Sequence, residues 1–545
     1  VLVKLSCITL VAAATAFAGR RLLSYLRFFQ QEEYNQRRFT HWIKRNNAFD
    51  TRGTLTIVAS LIVGLIFASP LPVFLATSFC VAALIIIAFF VEQDPRTFGK
   101  LKLNMTDRAR KIYLAGWALL ILLVAPLALC MLLFPWSSIF LYAVTALYLV
   151  FIVQTPPWLL MVANNLLSPL ERRIQEHYYS DAKRILAEVD PFIIGITGSY
   201  GKTGAKAALS DLLQRCIGPT FWPKKSINTV MGITRTIREE LKPYHKYAVI
   251  EMGAYNVGSI SRLCEFTPPK AALVTAVGIM HLERFGSEEN VYRAKSEIAQ
   301  GLPTDGILVC NGDSPGARRM ARQYDRATTL LYGLDLGCGH LDCHASDVTF
   351  GEDGSAFTVH WNGHTFPAKT PLLGRPAISN ILGAFTLACA LGADPEYAVA
   401  CLASLEPVDN RLVLDRSAGV SFLRDAYNSN PTGFAAALEV LSAVRAKRRI
   451  LITPGMIELG DKQYEENRRI AALAAGVCDL VIVVGKSNRE ALLAGLQDCQ
   501  YDRDKLRVVD TRDEAFQILS EVQAAGDVVL LENDLPDLHE NKVRF

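Results

Sequence analysis

The sequence predicts an α/β protein led by an N-terminal bundle of about five transmembrane helices, and three observations predict it. Long apolar runs crowd the first 155 residues; short apolar runs alternate with helical patterns from Phe192 onward; and a glycine-rich turn follows the first of those short runs and opens a helix. Over 545 residues the chain is 51% hydrophobic and 20% charged, with a mean hydropathy of +0.22. That excludes disorder and collagen-like structure. A net charge of +4 is too small to point to a nucleic-acid partner. Twelve cysteines in so long a chain are too sparse for the disulfide framework of a small secreted domain, and they read as reduced thiols.

The apolar runs are Val1–Gly19, Leu55–Ala68, Val73–Val91, Tyr113–Phe134 and Ile139–Val153, each near the ~20 residues that cross ~30 Å of hydrocarbon. No small-residue cleavage site follows the first, so it reads as a retained span rather than a signal peptide. The connection after the first run carries Arg20, Arg21, Arg27, Arg37, Arg38, Lys44, Arg45 and Arg52. The connection after the third carries Arg96, Lys100, Lys102, Arg108, Arg110 and Lys111. The other two, Ser69-Pro70-Leu71-Pro72 and Pro135-Trp136-Ser137-Ser138, are short and uncharged. The excess of positive charge on the cytoplasmic side then sets a multi-pass protein of the cytoplasmic membrane, with everything after Val153 inside. Few ionisable residues fall at mid-depth, which favours an anchor over a transporter. Ser168-Pro169-Leu170-Glu171 offers a helix start, and Leu170, Ile174, Tyr178, Ala182 and Ile185 form a stripe that ends before Pro191. The predicted organisation is transmembrane helices over 1–155, a connecting helix over 156–190, a central nucleotide-binding domain over 191–402 and a further α/β domain over 403–545.

Strands are expected at Phe192–Ile196, Tyr247–Ile250, Ala272–Thr275, Ile307–Cys310, Ile450–Thr453, Val481–Val484 and Val528–Leu531, in mostly parallel sheets. The turn Gly195-Ile196-Thr197-Gly198-Ser199-Tyr200-Gly201-Lys202-Thr203 leaves the first strand and enters a helix over Ala205–Arg215. Glycines let the backbone wrap phosphates, and helix N-terminal amides face the anion. Gly198, Ser199, Tyr200 and Gly201 form that cradle, Lys202 holds the β/γ-phosphates, and Thr203 reaches Mg²⁺. The strict P-loop spacing asks for glycine where Ile196 stands. Glu251 closes an apolar strand, where a parallel sheet holds its ligands, and its carboxylate suits a hard Mg²⁺. His281 follows another strand and suits the ion less obviously, and Lys295 comes soon after it.

With Ser226-Ile227-Asn228-Thr229, Ile250-Glu251-Met252-Gly253, His281-Leu282-Glu283-Arg284-Phe285-Gly286-Ser287 and Arg293-Ala294-Lys295-Ser296-Glu297, the pattern becomes specific. It continues through Asn380, Arg411, Asp425-Ala426-Tyr427-Asn428-Ser429-Asn430-Pro431 and Gly455-Met456-Ile457-Glu458-Leu459-Gly460. From about Phe192 into the last twenty residues the chain resembles the Mur ligase family of ATP-dependent amino acid and peptide ligases, in the type that adds D-alanyl-D-alanine. The resemblance implies a P-loop central domain and a Rossmann-like C-terminal domain. It implies ATP and two Mg²⁺ ions, with Thr203 and Glu251 at the first ion and His281 and Lys295, a lysine often carbamylated in the family, at the second. Asn380 then contacts adenine, Arg411 the phosphates and Asp425 the ribose, while Asn228 and Asn428 lie on the substrate side. The implied catalytic set is Lys202, Glu251, His281, Lys295 and Arg411. The implied reaction joins an amino acid or dipeptide to a cell-wall precursor, UDP- or lipid-linked, through an acyl phosphate.

The chain departs from the family in three places. Only Gln154–Asp190 stands where the family's cytoplasmic ligases carry a UDP-binding domain. Leu531-Glu532-Asn533-Asp534-Leu535-Pro536-Asp537 replaces a basic Lys-Gly-Ser-Arg-like stretch. Asn467 stands where a histidine is common. Cys338-Gly339-His340-Leu341-Asp342-Cys343-His344 holds soft ligands, but not at the spacing of paired zinc knuckles, and reads as an ordinary loop. The competing functions are a polyglutamate-synthase-like polymer ligase, a P-loop transport or signalling ATPase and a catalytically dead scaffold. The ATPase requires a second apolar strand ending in adjacent acids, which the sequence lacks.

Overall fold

The computed structural model describes residues 2–67, 69–97, 101–133, 138–278, 285–324, 328–409, 411–417, 419–426 and 429–534. The chain divides into two compact units that part at residues 176 and 177. The first contains α1 (Leu2–Gln31), α2 (Gln36–Arg45), α3 (Arg52–Phe67), α4 (Pro70–Ile86, extended by a wider turn to Val91), α5 (Asp107–Leu133), α6 (Ser138–Gln154) and the start of α7 (Pro156–Val189). The described residues of all five apolar runs fall within these helices. Among the described residues three helices, Val3–Gln31, Pro70–Val91 and Asp107–Met131, are long and apolar enough to cross a membrane. Arg52–Phe67 is apolar but shorter, and Ile139–Gln154 joins α7 through a bend of 59°. α1 is the central stave, packed on α4, α5 and α6.

The sequence places a helix start at Ser168; the structure corrects it to Pro156, with Pro169 inside α7. Thr155 and the paired prolines supply the start, because proline at the first turn lacks only a donor that would be orphaned there anyway. At Pro169 a single intrahelical bond is lost, and the helix continues through it.

One buried cluster of charges organises this unit. Arg21, 1% exposed, meets Asp50 at 2.5 Å and also binds Glu92. Asp50 in turn accepts from the Gly53 amide at 2.7 Å, capping α3, while its carbonyl accepts from Gln154 Nε2 at 2.6 Å. The knot ties α1, α3, α6 and the end of α4 together, since a buried charge is tolerated only when paired and hydrogen-bonded.

The second unit holds two sheets. The nine-stranded sheet runs β2-β3-β1-β4-β5-β6-β7-β8-β9. Its strands are β1 Phe192–Thr197, β2 Thr220–Phe221, β3 Tyr247–Glu251, β4 Ala271–Val274, β5 Ile307–Asn311, β6 Thr328–Gly333, β7 Cys343–Gly351, β8 Gly354–Trp361 and β9 His364–Thr370. Pairing is parallel from β2 to β7 and antiparallel from β7 to β9. The inner strands Ile194, Ile196, Val249 and Leu273 are sealed on one face by helices Lys202–Cys216 and Arg375–Ala390. The other face packs on helices Ser259–Phe266 and Glu288–Gln300. Burial on both faces explains why these strands read as unbroken apolar runs. Because the chain steps from β1 to β3 on one side and returns to β4 on the other, the carboxyl ends of β1 and β4 form the switch point where such sheets hold ligands.

The six-stranded sheet runs β10-β11-β15-β12-β13-β14, with β10 Val413–Ser417, β11 Val420–Asp425, β12 Arg449–Thr453, β13 Leu480–Val484, β14 Leu506–Val509 and β15 Val528–Glu532. Only β10 is antiparallel to its neighbour.

Candidate active site

β1 ends at Thr197, and the chain turns through Gly198–Gly201 into helix Lys202–Cys216. Gly201 lies at φ 78°, and a Cβ there would collide with the Asn380 amide; a Cβ on Gly198 would collide with Thr275 Oγ1. Both positions therefore require glycine. The segment after β4 fixes the turn from outside. Ser199 N donates to Ala276 O at 2.6 Å, Ser199 Oγ accepts from Gly278 N at 3.0 Å, and Thr275 Oγ1 donates to Tyr200 O. Lys202 Nζ folds back over the turn and donates to Gly198 O at 2.7 Å. Amides at a helix N-terminus with a lysine above them form an anion cradle.

Glu251, at the end of β3, is the hub beneath this cradle and is 1% exposed. Its Oε2 accepts from Thr203 Oγ1 at 3.1 Å and from Lys206 Nζ at 3.1 Å, and its Oε1 accepts from Asn228 Nδ2 at 3.1 Å. Ser226 Oγ lies 3.2 Å from Thr203 Oγ1. A carboxylate with two hydroxyls is a set of hard oxygens, which fits Mg²⁺. Lys295 lies buried on helix Glu288–Gln300, where its neighbour Glu297 caps helix Ser259–Phe266 through the Ile260 amide at 3.0 Å.

The electrostatics are lopsided. Burial pulls the Lys202 ammonium below its ordinary range, and Glu251 opposes the shift. Burial does the same to Lys206. Lys295 is pulled furthest, first by burial and then by the charge of Lys202. Three amines around one carboxylate, those of Lys206 and Lys295 buried and that of Lys202 half-buried, leave a site short of negative charge, the condition an incoming polyphosphate relieves.

A cleft of about 780 Å³ opens beside the cradle, within the size range of nucleotide pockets. Tyr200, Gly201 and Asn380 line its central-sheet side, and Arg411, Asp425 and Asn430 its C-terminal side. Asn380 also packs against Gly204 of the helix. Leu373, Pro376 and Leu412 give the cleft an apolar floor.

At the far wall Asp425 stands opposite Glu532 in the β11–β15 register. Glu532 is wholly buried; its Oε1 accepts from Ser429 Oγ at 2.5 Å, and its Oε2 has no hydrogen-bond partner among the described residues. Burial pushes the Asp425 carboxyl up to about 6, against the pull of Arg411 and the Leu412 amide. Burial and the charge of Asp425 push Glu532 well above the carboxylate range. Both carboxyls hold their protons more tightly in the folded than in the unfolded chain, so stability falls as pH rises from the ordinary carboxylate range through their folded values. Glu532→Gln is therefore expected to stabilise the protein on the order of 1–3 kcal/mol at pH 7.5 and to flatten the decline above pH 5. Thermal unfolding at the two pH values checks this; a variant less stable at both contradicts it.

Two expected site residues, His281 and Asn428, lie outside the described residues. Gly198, Ser199, Tyr200, Gly201, Lys202, Thr203, Asn228, Glu251 and Lys295 surround the cradle, and Asn380, Arg411 and Asp425 line the cleft. Sequence reasoning missed Lys206, although it stands one helical turn after Lys202, on the same face. It also gave no role to Asn467. That side chain is wholly buried, accepts from Met456 N at 2.8 Å and donates to Met456 O at 3.0 Å, pinning the loop after β12. Cys343 opens β7 and lies in the sheet core, where burial pushes its thiol up to about 12.

The Mur ligase middle domain matches residues 196–388, and the Mur ligase glutamate ligase domain matches residues 410–532. The UDP-N-acetylmuramoyl-tripeptide–D-alanyl-D-alanine ligase of Mycobacterium tuberculosis (strain H37Rv) is 32% identical over 361 residues, 62% of this chain and 69% of that protein. The chain belongs to the Mur ligase family. The enzyme of the same name from Escherichia coli K12 is 33% identical over 304 residues, 55% of this chain and 66% of its own length. Among solved structures, the MurF ligase of Thermotoga maritima in complex with ADP superposes with a TM-score of 0.57 at 25% identity, covering 66% of this chain and 80% of that one. This Mur ligase is accordingly an ATP-dependent enzyme that forms carbon–nitrogen bonds.

Proposed function

We propose that this Mur ligase is a membrane-anchored enzyme that joins an amino acid or dipeptide to a carboxylate of a cell-wall precursor, with its two sheets on the cytoplasmic side. The observation that carries the reading is the hub of buried Glu251, Thr203, Lys206 and Lys295 with Lys202 over a glycine turn, beside a cleft lined from both sheets.

ATP enters with its phosphates on the Gly198–Gly201 turn and its base over the apolar floor near Asn380, while Asp425 meets the ribose. Lys202 and Arg411 neutralise the charge that develops on the transferred phosphoryl group. Thr203 and Glu251 would hold one Mg²⁺, and His281 and Lys295 would serve a second; when bound, the ions would supply positive charge against the phosphates. Lys295, buried and with its ammonium pulled well below its ordinary range by burial, is an amine suited to carbamylation, which would turn it into an oxygen ligand. The acceptor carboxylate, placed near Asn228, attacks the γ-phosphorus and ADP leaves. The amine then attacks the acyl phosphate, loses a proton, and the tetrahedral adduct collapses to amide and inorganic phosphate. Because Arg411 and Asp425 lie beyond the central sheet, closure of the C-terminal sheet over ATP completes the site.

The relatives' names make D-alanyl-D-alanine and the UDP-linked tripeptide the first pair to test. Lipid-linked acceptors come next, because Phe79, Phe90 and Leu122 expose large apolar surface on helices long enough to span a bilayer. A screen in detergent, pairing UDP-linked and lipid-linked muropeptides with amino acids and D-alanyl-D-alanine, reads the product by mass. Amide product with at least one pair supports the reading. ATP turnover that is the same with and without acceptor, and yields no amide, overturns it in favour of an ATPase.

A further inference from the structure

The hub contains one cation that the reaction scheme does not use. Lys206 is 2% exposed, its Nζ lies 3.1 Å from Glu251 Oε2, and it donates to the Lys225 carbonyl at 2.5 Å. Lys225 occupies the left-handed region at φ 58°, and the segment it opens carries Ser226 and Asn228 back onto the same carboxylate. Lys206 thus shares one oxygen of Glu251 with Thr203, on the oxygen set that fits a divalent ion. A buried carboxylate needs a counter-charge at all times, and in the nucleotide-free protein Lys206 supplies it.

We propose that Lys206 is a positioning residue that acts as the resident counter-cation of Glu251 and keeps divalent metal out until it arrives with nucleotide. Metal alone must compete with an ammonium already in contact with Oε2. Metal carried on a triphosphate brings negative charge with it, so the amines no longer repel it, and Lys206 keeps its second contact on Lys225 O while Glu251 turns to the ion. The effect is an ordered site in which Glu251 stays aligned, the 225–228 segment stays anchored, and the metal binds as its nucleotide complex. This rests on the proposed metal and nucleotide site.

Mn²⁺ serves as the probe, titrated into the full-length protein in detergent with and without ATP and followed by calorimetry and by the Mn²⁺ spin-resonance signal. Wild type is expected to bind Mn²⁺ weakly alone and tightly with ATP. Lys206→Met is expected to bind Mn²⁺ without nucleotide at least about tenfold more tightly than wild type, the scale for removing one like charge a few ångströms from a divalent ion. Lys206→Gln, which retains a donor for Lys225 O without the charge, shows the same gain and stands in if the methionine variant folds poorly. Lys206→Arg stays at the wild-type affinity. A merely structural lysine would weaken metal binding or leave it unmoved when replaced, so unchanged or weaker Mn²⁺ binding in the folded neutral variants overturns the proposal. If wild type binds Mn²⁺ no better with ATP than without, the metal and nucleotide site itself fails, and the proposal with it.

Discussion

Lys202→Met is expected to lower amide formation by about 10²–10³-fold, the scale for removing one preorganised charge from a developing oxyanion, while leaving the fold intact. The side chain is half-buried, and among the described residues its hydrogen bonds go to the Gly198 and Ser199 carbonyls of its own turn. The turn keeps its shape without them, because Ser199 is held by Ala276 and Gly278 and Tyr200 by Thr275. Burial without a partnered anion costs the ammonium stability, so methionine in its place should hold or raise the melting temperature. The combination of lost turnover with retained stability marks a residue kept for chemistry rather than for folding. Single-turnover formation of ADP and a thermal melt on the same sample check it. A variant that keeps its turnover contradicts the role.

The second large effect belongs to Glu251. Glu251→Gln keeps the side chain's size and can still meet Thr203 and Asn228, but it removes the only carboxylate shown in contact with the hub's hydroxyls and Lys206. The metal site loses its charged ligand, and Lys206 is left buried without a counter-charge. We expect turnover to fall by about 10²-fold or more, as losing an electrostatic contact of this kind costs, with Mn²⁺·ATP binding weakened in parallel. Stability should drop by roughly 1–3 kcal/mol, the cost of a buried charge stripped of its partner but still hydrogen-bonded to a carbonyl. Calorimetric titration and chemical unfolding read the two effects separately. Unchanged Mn²⁺·ATP affinity in the folded variant would remove Glu251 from the metal site.

The parts of this protein that were legible in its sequence are those where local pattern and global fold agree. Strands β1, β3, β4, β5, β12, β13 and β15 are buried on both faces and stand out as short apolar runs. The phosphate turn was legible because its glycines are dictated by close approach at Gly198 and by a left-handed backbone at Gly201. The β7–β9 meander was not, because it is half-exposed: β8 alternates buried and half-buried residues, and Asn362-Gly363 marks its hairpin only once alternation is sought. Pro169 misled in the opposite way, because a proline-led start signal can also sit inside a long helix that tolerates one missing bond. Lys206 and Glu532 could not be assigned from sequence for a common reason. Their significance is a contact with Glu251 or Asp425, 45 and 107 positions away, made only when a helix packs on its sheet or two separate strands come into register.

The most direct test of carboxylate activation follows an oxygen atom. An acceptor that gives product in the screen is labelled with ¹⁸O in the carboxylate that becomes the amide, and the inorganic phosphate released is analysed by mass. Attack of that carboxylate on ATP, followed by displacement by the amine, predicts one ¹⁸O in each phosphate formed together with amide. Phosphate that carries no label, released in step with ADP, would mean that water rather than the acceptor takes the phosphoryl group, and would contradict the account.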